Sequence, residues 1–89
     1  MIRIIAIILH RNFEKQYKTL DDSVKLAFRH RRNLLFLEPY HPLLNNHVLK
    51  GKWKKYRSIN ITGDIRAVYE MEGFIAIFHY IGSHSELYG

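Results

Sequence analysis

The stretch "KWKKYRSINITGDIRAVYEMEGFIAIFHYI" (52–81) decides the fold. Thr62-Gly63 and Glu72-Gly73 divide it into three runs, 52–60, 64–71 and 74–81, each rich in β-branched and aromatic residues. Short Gly-containing gaps between such runs are the mark of hairpin turns, so three consecutive antiparallel strands are expected. Alternate side chains of a strand point to opposite faces. In the middle run this puts Ile65, Ala67, Tyr69 and Met71 on one face, assigned to the core. Asp64, Arg66, Val68 and Glu70 fall on the other, where an acid and a base stand together. The last run, "FIAIFHYI", is apolar on both faces.

Working outward, "IRIIAIIL" (2–9) is also apolar almost throughout and predicts a strand covered on both faces, or one in the middle of a sheet. Phe13, Tyr17 and Leu20 recur at helical spacing within "NFEKQYKTL" (12–20). A second helix starts at Asp21 or Asp22 and stops before Pro39, with Val24, Ala27, Phe28, Leu34 and Leu35 facing inward. The segment 38–51 holds both prolines, two asparagines and a glycine and reads as a long connecting loop. The order is β-α-α-β-β-β. This is an α+β domain with a helical hairpin on one face of a small, mainly antiparallel sheet.

A chain of 89 residues corresponds to one domain, 1–89. It contains no cysteine, which excludes disulfides and thiolate metal sites and fits a reducing compartment. "MIRIIAIILH" is too short and too interrupted by Arg3 for a signal peptide, and no run approaches the length of a membrane span. The cytoplasm is the expected location. The formal charge of +6 points to an acidic or polyanionic partner.

Phosphate-binding glycine loops, zinc-protease motifs and nucleophile elbows are absent from the sequence. What remains are histidines, Asp64 and many cations. His47 precedes Lys50, Lys52, Lys54, Lys55 and Arg57, with Trp53 and Tyr56 interleaved. Cations mixed with rings suit single-stranded nucleic acid; a lysine-guarded edge strand would have the same composition. His47 itself either bonds a nearby carbonyl or carries protons. Asp64 either serves the turn or orients a histidine, and Arg66 pairs with Asp64 or faces a phosphate. At the C-terminus, "GSHSELYG" places His84 and Tyr88 on one side of a helical turn, with Leu87 packing inward; an imidazole there is a natural proton carrier. His79 reads as a half-buried structural residue. Lys25, Arg29 and Arg32 form a basic stripe on the second helix, a solvated face or a site for an acidic partner or RNA. His47, Asp64 and His84 are of the right types for a metal site. No two lie close in sequence, so no metal or cofactor is assigned.

Together "LNNHVLKGKWKKYRSINITGDIRAVYE" and "IGSHSELYG" resemble the YafQ-type branch of the RelE/ParE toxin superfamily, over essentially the whole chain. The most specific pieces are H-x-L-x-G-x-W, "ITGDIRAVY" and "GSHSELY". The resemblance implies the β-α-α-β-β-β fold and a metal-independent, ribosome-dependent endoribonuclease that cuts mRNA in the A site. By motif, His47, Asp64, His84 and Tyr88 match residues implicated in activity. Asn60 stands where a further histidine is found in that branch, and Ile65 where it has a tryptophan. The implied chemistry is attack of the RNA 2′-hydroxyl on the adjacent phosphate, with His84 as general acid and His47 or Asp64 on the base side. Lys50, Lys52, Arg57 and Arg66 would hold phosphate, and Tyr88 would position a base. An acidic cognate antitoxin, forming an oligomer with this chain, is the implied partner. A ParE-like inhibitor of DNA gyrase and an inactive RNA-binding relative share the fold and remain as alternatives.

Overall fold

Side chains that recur at helical spacing and strands that alternate meet in one core in the computed structural model, which describes residues 2–88 and, of Tyr88, the backbone alone. The first strand, β1, covers Ala6–Leu9. It is shorter than the expected 2–9, although the Ile5 N–H already donates to Phe74 O at 2.9 Å. Helix α1 (Arg11–Lys18) is capped by His10, whose Nδ1 accepts from the Asn12 N–H at 3.1 Å. Helix α2 (Asp22–Leu37) starts after Asp21 and ends two residues before Pro39. Its Phe28 and Leu35 are buried, and Val24, Ala27 and Leu34 pack on the same core, as the spacing predicts. Among the described residues, no helix is long and apolar enough to cross a membrane.

Two corrections concern 38–55. The expected loop contains a single 3₁₀ turn at Pro42–Leu44 and a two-residue strand, β2 (His47–Val48). The expected strand at 52–60 begins only with β3 at Tyr56–Asn60. Gly51 has φ +64°, a left-handed conformation that favours glycine. A second 3₁₀ turn, Gly51–Trp53, follows, with the Trp53 and Lys54 N–H groups bonding back to Lys50 O and Gly51 O. The lysine run is therefore the tip of a hairpin, and the edge strand is β2.

Strands β4 (Ile65–Glu72) and β5 (Ile75–Ser83) complete a five-stranded sheet in the order β1-β5-β4-β3-β2. β1 runs parallel to β5, which places β1 at an edge and not in the middle; the other pairings are antiparallel. Ile65, Ala67, Tyr69 and Met71 face the helices as expected. Phe13 and Phe28 of the helical hairpin meet Phe78 of β5 with ring centroids 5.0–5.6 Å apart.

A β-bulge lies where β5 passes β4. Val68 is opposite Tyr80 but Tyr69 is opposite Phe78, so His79 is the extra residue. Ala76 and Phe78 are core residues, and after the bulge so is Ile81. The Ile81 N–H donates instead to Gln16 Oε1 of α1 at 2.9 Å. Replacing Gln16 by Met preserves bulk and removes that acceptor. A buried donor left unpaired costs about 1–3 kcal/mol. Gln16→Met is therefore expected to lower the unfolding free energy measured by urea titration by that amount and to speed exchange of the Ile81 amide.

Candidate active site

The face of the sheet away from the helices carries the chemistry. Cross-strand partners share a face, so one row across it runs His47, Ser58, Val68, Tyr80, and the next runs Asn60, Arg66, Gly82. These rows floor a cleft of about 180 Å³ lined by His47, Leu49, Lys50, Trp53, Ser58, Arg66 and His84. Imidazole, ammonium and guanidinium groups occur in the lining together with apolar Leu49 and Trp53. Trp53 meets Tyr80 edge-on at 5.7 Å and Tyr56 at 5.6 Å, joining the hairpin tip to β3 and β5.

His47 Nδ1 lies 2.7 Å from the carbonyl oxygen of Asn45. A carbonyl only accepts, so Nδ1 carries the proton, and the neutral ring presents Nε2 as a lone pair. Both readings of His47 are compatible: it bonds a nearby carbonyl and it lines the cleft. Asn45, at φ 46° and ψ 46°, turns its carbonyl back toward the ring. Asn46 ties this turn down. Its Oδ1 accepts from Arg57 Nε at 2.9 Å and Tyr69 Oη at 3.0 Å, while its Nδ2 donates to Pro39 O at 2.9 Å. Burial pushes the Tyr69 phenol above its ordinary value, against the opposing influence of Asn46 and Arg57, so the hydroxyl remains a donor.

His84 opens α3 (His84–Tyr88), a turn that folds back over the end of β5. Ser83 and Glu86 form a reciprocal capping box: the Ser83 N–H donates to Glu86 Oε1 at 2.8 Å and the Glu86 N–H to Ser83 Oγ at 3.2 Å. The turn packs closely on Gly82: a Cβ there would sit 3.3 Å from Glu86 Oε1, which would have to give by a few tenths of an ångström, and 3.6 Å from Leu87 Cδ2.

Arg66 does not pair with Asp64. Its Nη1 donates to the carbonyls of Thr62, Gly63 and Ile65 at 3.1–3.3 Å. Among the described residues the ion pairs all involve Glu70, with Lys55 at 3.9 Å and His79 at 2.8 Å. Arg66 thus brings to the cleft a guanidinium that has no carboxylate within ion-pair distance among the described residues. Asn60, its cross-strand neighbour, has a buried Oδ1 that accepts no hydrogen bond among the described residues.

Of the residues singled out from sequence, the structure brings His47, Lys50, Arg66 and His84 together. Asp64 is exposed in the β3–β4 turn, outside the cleft lining, its N–H near Thr62 Oγ1 at 3.3 Å. Lys52 is exposed at the hairpin tip, also outside the lining. Arg57 lies opposite Tyr69 and shares its helix-side face, engaged with Asn46 and set over the Tyr40 ring at 5.8 Å; it is not in the cleft. The Tyr88 side chain lies outside the described residues. Sequence reading missed Leu49, Ser58 and Asn46, and also the S-x-x-E signature of the capping box at Ser83–Glu86. His79 is structural as read, stacked on His10 at 4.7 Å.

This sheet, hairpin and open-face cleft define a RelE-like toxin fold. The chain belongs to the YafQ family, described as "Bacterial toxin of type II toxin-antitoxin system, YafQ", which it matches over residues 5–89. It is similar to a copper-bound mutant toxin from Helicobacter pylori, with 33% identity over 99% of this chain and 100% of that one and a TM-score of 0.69. YafQ from E. coli strain BL21(DE3) superposes with a TM-score of 0.75 at 22% identity, over 93% and 97% of the two chains. The toxin of the E. coli DinJ–YafQ toxin–antitoxin complex does so with a TM-score of 0.73 at 23% identity, over the full length of both. No curated protein sequence matches at a significant level. Copper in the Helicobacter relative raises the question of a metal here. Among the described residues no group of three His, Cys, Asp or Glu is placed to hold one.

The capping box yields a pH prediction. Hydrogen bonds from the Ser83 backbone and then its side chain hold the Glu86 carboxyl below its ordinary value. A lowered folded-state value means that the cap's contribution is complete above the ordinary glutamate range and is lost as pH falls through the depressed value. The Ser83 amide shift is expected to stay constant from neutral pH down to that range and to move only below it. In Glu86→Gln the movement should vanish.

Proposed function

We propose that this chain is a ribosome-dependent endoribonuclease, the toxin half of its module, cutting mRNA by attack of a 2′-hydroxyl on the neighbouring phosphate. The observation that supports this most is the meeting of His47 and His84 in one cleft with Lys50 and Arg66. The reaction needs an acceptor for the 2′-hydroxyl proton, a donor for the departing 5′-oxygen and positive charge at the phosphate. His47 Nε2 takes the proton as O2′ bonds to phosphorus. The P–O5′ bond breaks, and His84, protonated at the start, gives its proton to O5′. The products are a 2′,3′-cyclic phosphate and a 5′-hydroxyl. Arg66 and Lys50 hold the phosphate oxygens. Between the two candidates for the base, cleft lining favours His47 over Asp64. Tyr88, by motif, would position a base.

The ribosome would supply the orientation that an open cleft lacks, and orientation is a large share of catalysis in general. Action on the ribosome also implies a cytoplasmic site of work. The E. coli relative is found in complex with DinJ; here a net charge of +6 favours an acidic antitoxin laid against this chain, in an oligomer of the two.

The test is a purified translation reaction with a defined mRNA, with 5′ ends mapped. Wild-type protein should cut at A-site codons, and His84→Ala should cut about 10²–10⁴-fold more slowly, the usual share of acid–base catalysis. Intact mRNA with wild-type protein, while its expression still arrests growth, would overturn the nuclease and direct attention to gyrase.

A further inference from the structure

Asn46 is the residue between the donor and the acceptor of the His47 bond. The link from His47 Nδ1–H to Asn45 O spans the two peptide units that flank Asn46, so the φ and ψ of Asn46 set its geometry. Those dihedrals are not left to the turn alone. The Asn46 side chain reaches three separate segments: Arg57 of β3, Tyr69 of β4 and Pro39 after α2.

The amide can point in one direction only. A guanidinium is always a donor and a carbonyl always an acceptor, so Oδ1 faces Arg57 and Nδ2 faces Pro39. Both lone pairs of Oδ1 are taken, one by a phenol that is fully buried. Turning the amide would leave Arg57 Nε and Pro39 O unpaired.

We infer that Asn46, held by Tyr69 and Arg57 from the opposite face of the sheet, is a positioning residue that fixes His47 as the Nδ1–H tautomer. The inference rests on the reading of His47 as the base. It names what makes that ring a base toward the cleft: with the proton locked on Nδ1, the lone pair is always on Nε2. A ring free to exchange tautomers would spend part of its time presenting an N–H to the 2′-hydroxyl. Arg57 thereby acts through Asn46, on the far side of the sheet from the phosphate it was expected to touch.

The experiment is ¹⁵N–¹H correlation of the His47 ring in the full chain without RNA, at a pH where the ring is neutral. Wild type is expected to show one protonated nitrogen, Nδ1, and one unprotonated, Nε2. Asn46→Ala should give averaged values for the two nitrogens. Asn46→Asp keeps both acceptor bonds and should restore the single tautomer, and Tyr69→Phe, which removes one of them, should lie between. In the translation reaction, Asn46→Ala should lose about 10-fold or more in the cleavage rate at saturating ribosomes, with little change in the concentration for half-saturation. A folded Asn46→Ala whose His47 remains wholly Nδ1–H overturns the inference. Should that variant not fold, an unchanged tautomer in Tyr69→Phe does the same. Undiminished cleavage by His47→Ala would overturn the reading of His47 as base, a separate result that leaves tautomer control by Asn46 standing.

Discussion

The β-bulge at His79, beside which the Ile81 N–H bonds Gln16 Oε1, is the constraint on which both faces of the sheet depend. A strand that gains one residue relative to its neighbour exchanges its faces from that point on. Strict alternation from Phe78 would send residues 80, 82 and 84 under the helices. With His79 as the extra residue, Ile81 goes inward instead. Tyr80 then stands against Trp53, Gly82 lies opposite Arg66, and the chain leaves the sheet on the side of the cleft. The bulge frees one amide from the ladder, and α1 satisfies it. The helical hairpin that builds the core thus also bonds the strand that delivers His84, just past its change of phase.

Much of this was legible because it follows from periodicity. The helices were visible in the spacing of Phe13, Tyr17, Phe28 and Leu35, and the faces of β4 in plain alternation. The bulge was not. "FIAIFHYI" is apolar on both faces, so no polar residue marks the change of phase. The hairpin tip at 51–55 was hidden in a similar way: Lys-Trp-Lys-Lys looks like a guarded edge strand, and only the positive φ of Gly51 reverses it. Arg57 is a different kind of miss. With Ile59 in the core, alternation along β3 already puts Arg57 on the helix side and Ser58 on the cleft side. Residues 52–60 read as a strand, but Arg57 was grouped with the neighbouring lysines and not sorted by face. The site residues His47, Lys50, Arg66 and His84 came from motif resemblance joined to residue chemistry; no pattern of spacing would have shown that segments 16 or more residues apart meet on one face.

The open face is not uniform. Toward β1 it carries Glu70, His79 and His10, whose groups are engaged with one another and with the cap of α1. Toward β2 it carries Lys50 and Arg66, for which no carboxylate stands within ion-pair distance among the described residues. The aromatic cluster of Trp53, Tyr56 and Tyr80 lies between. Among the described residues the charge of this face is paired in one half, while Lys50 and Arg66 give the β2–β4 half, where the two imidazoles of the cleft are, a cationic character.

That half is shallow and wet, and this bears on what the cleft can do unaided. Exposed ion pairs are worth about 0–1 kcal/mol each, and charges there are screened beyond roughly 8 Å at physiological salt. Lys50, Arg66 and two imidazoles therefore give a free RNA strand little affinity and little discrimination. On the proposed reading this is an advantage. A cleft with a strong grip on phosphate would spend its binding energy equally on substrate and transition state, which adds nothing to the chemical step. A substrate already fixed by the ribosome needs only correctly placed groups. The structure invests part-buried hydrogen bonds in that placement, Asn46 at His47 and Gln16 beneath the bulge, and adds the exposed Ser83–Glu86 box beside His84. Rigidity in the supports and openness at the site are consistent with one division of labour, in which this chain supplies proton transfer and its large partner supplies recognition.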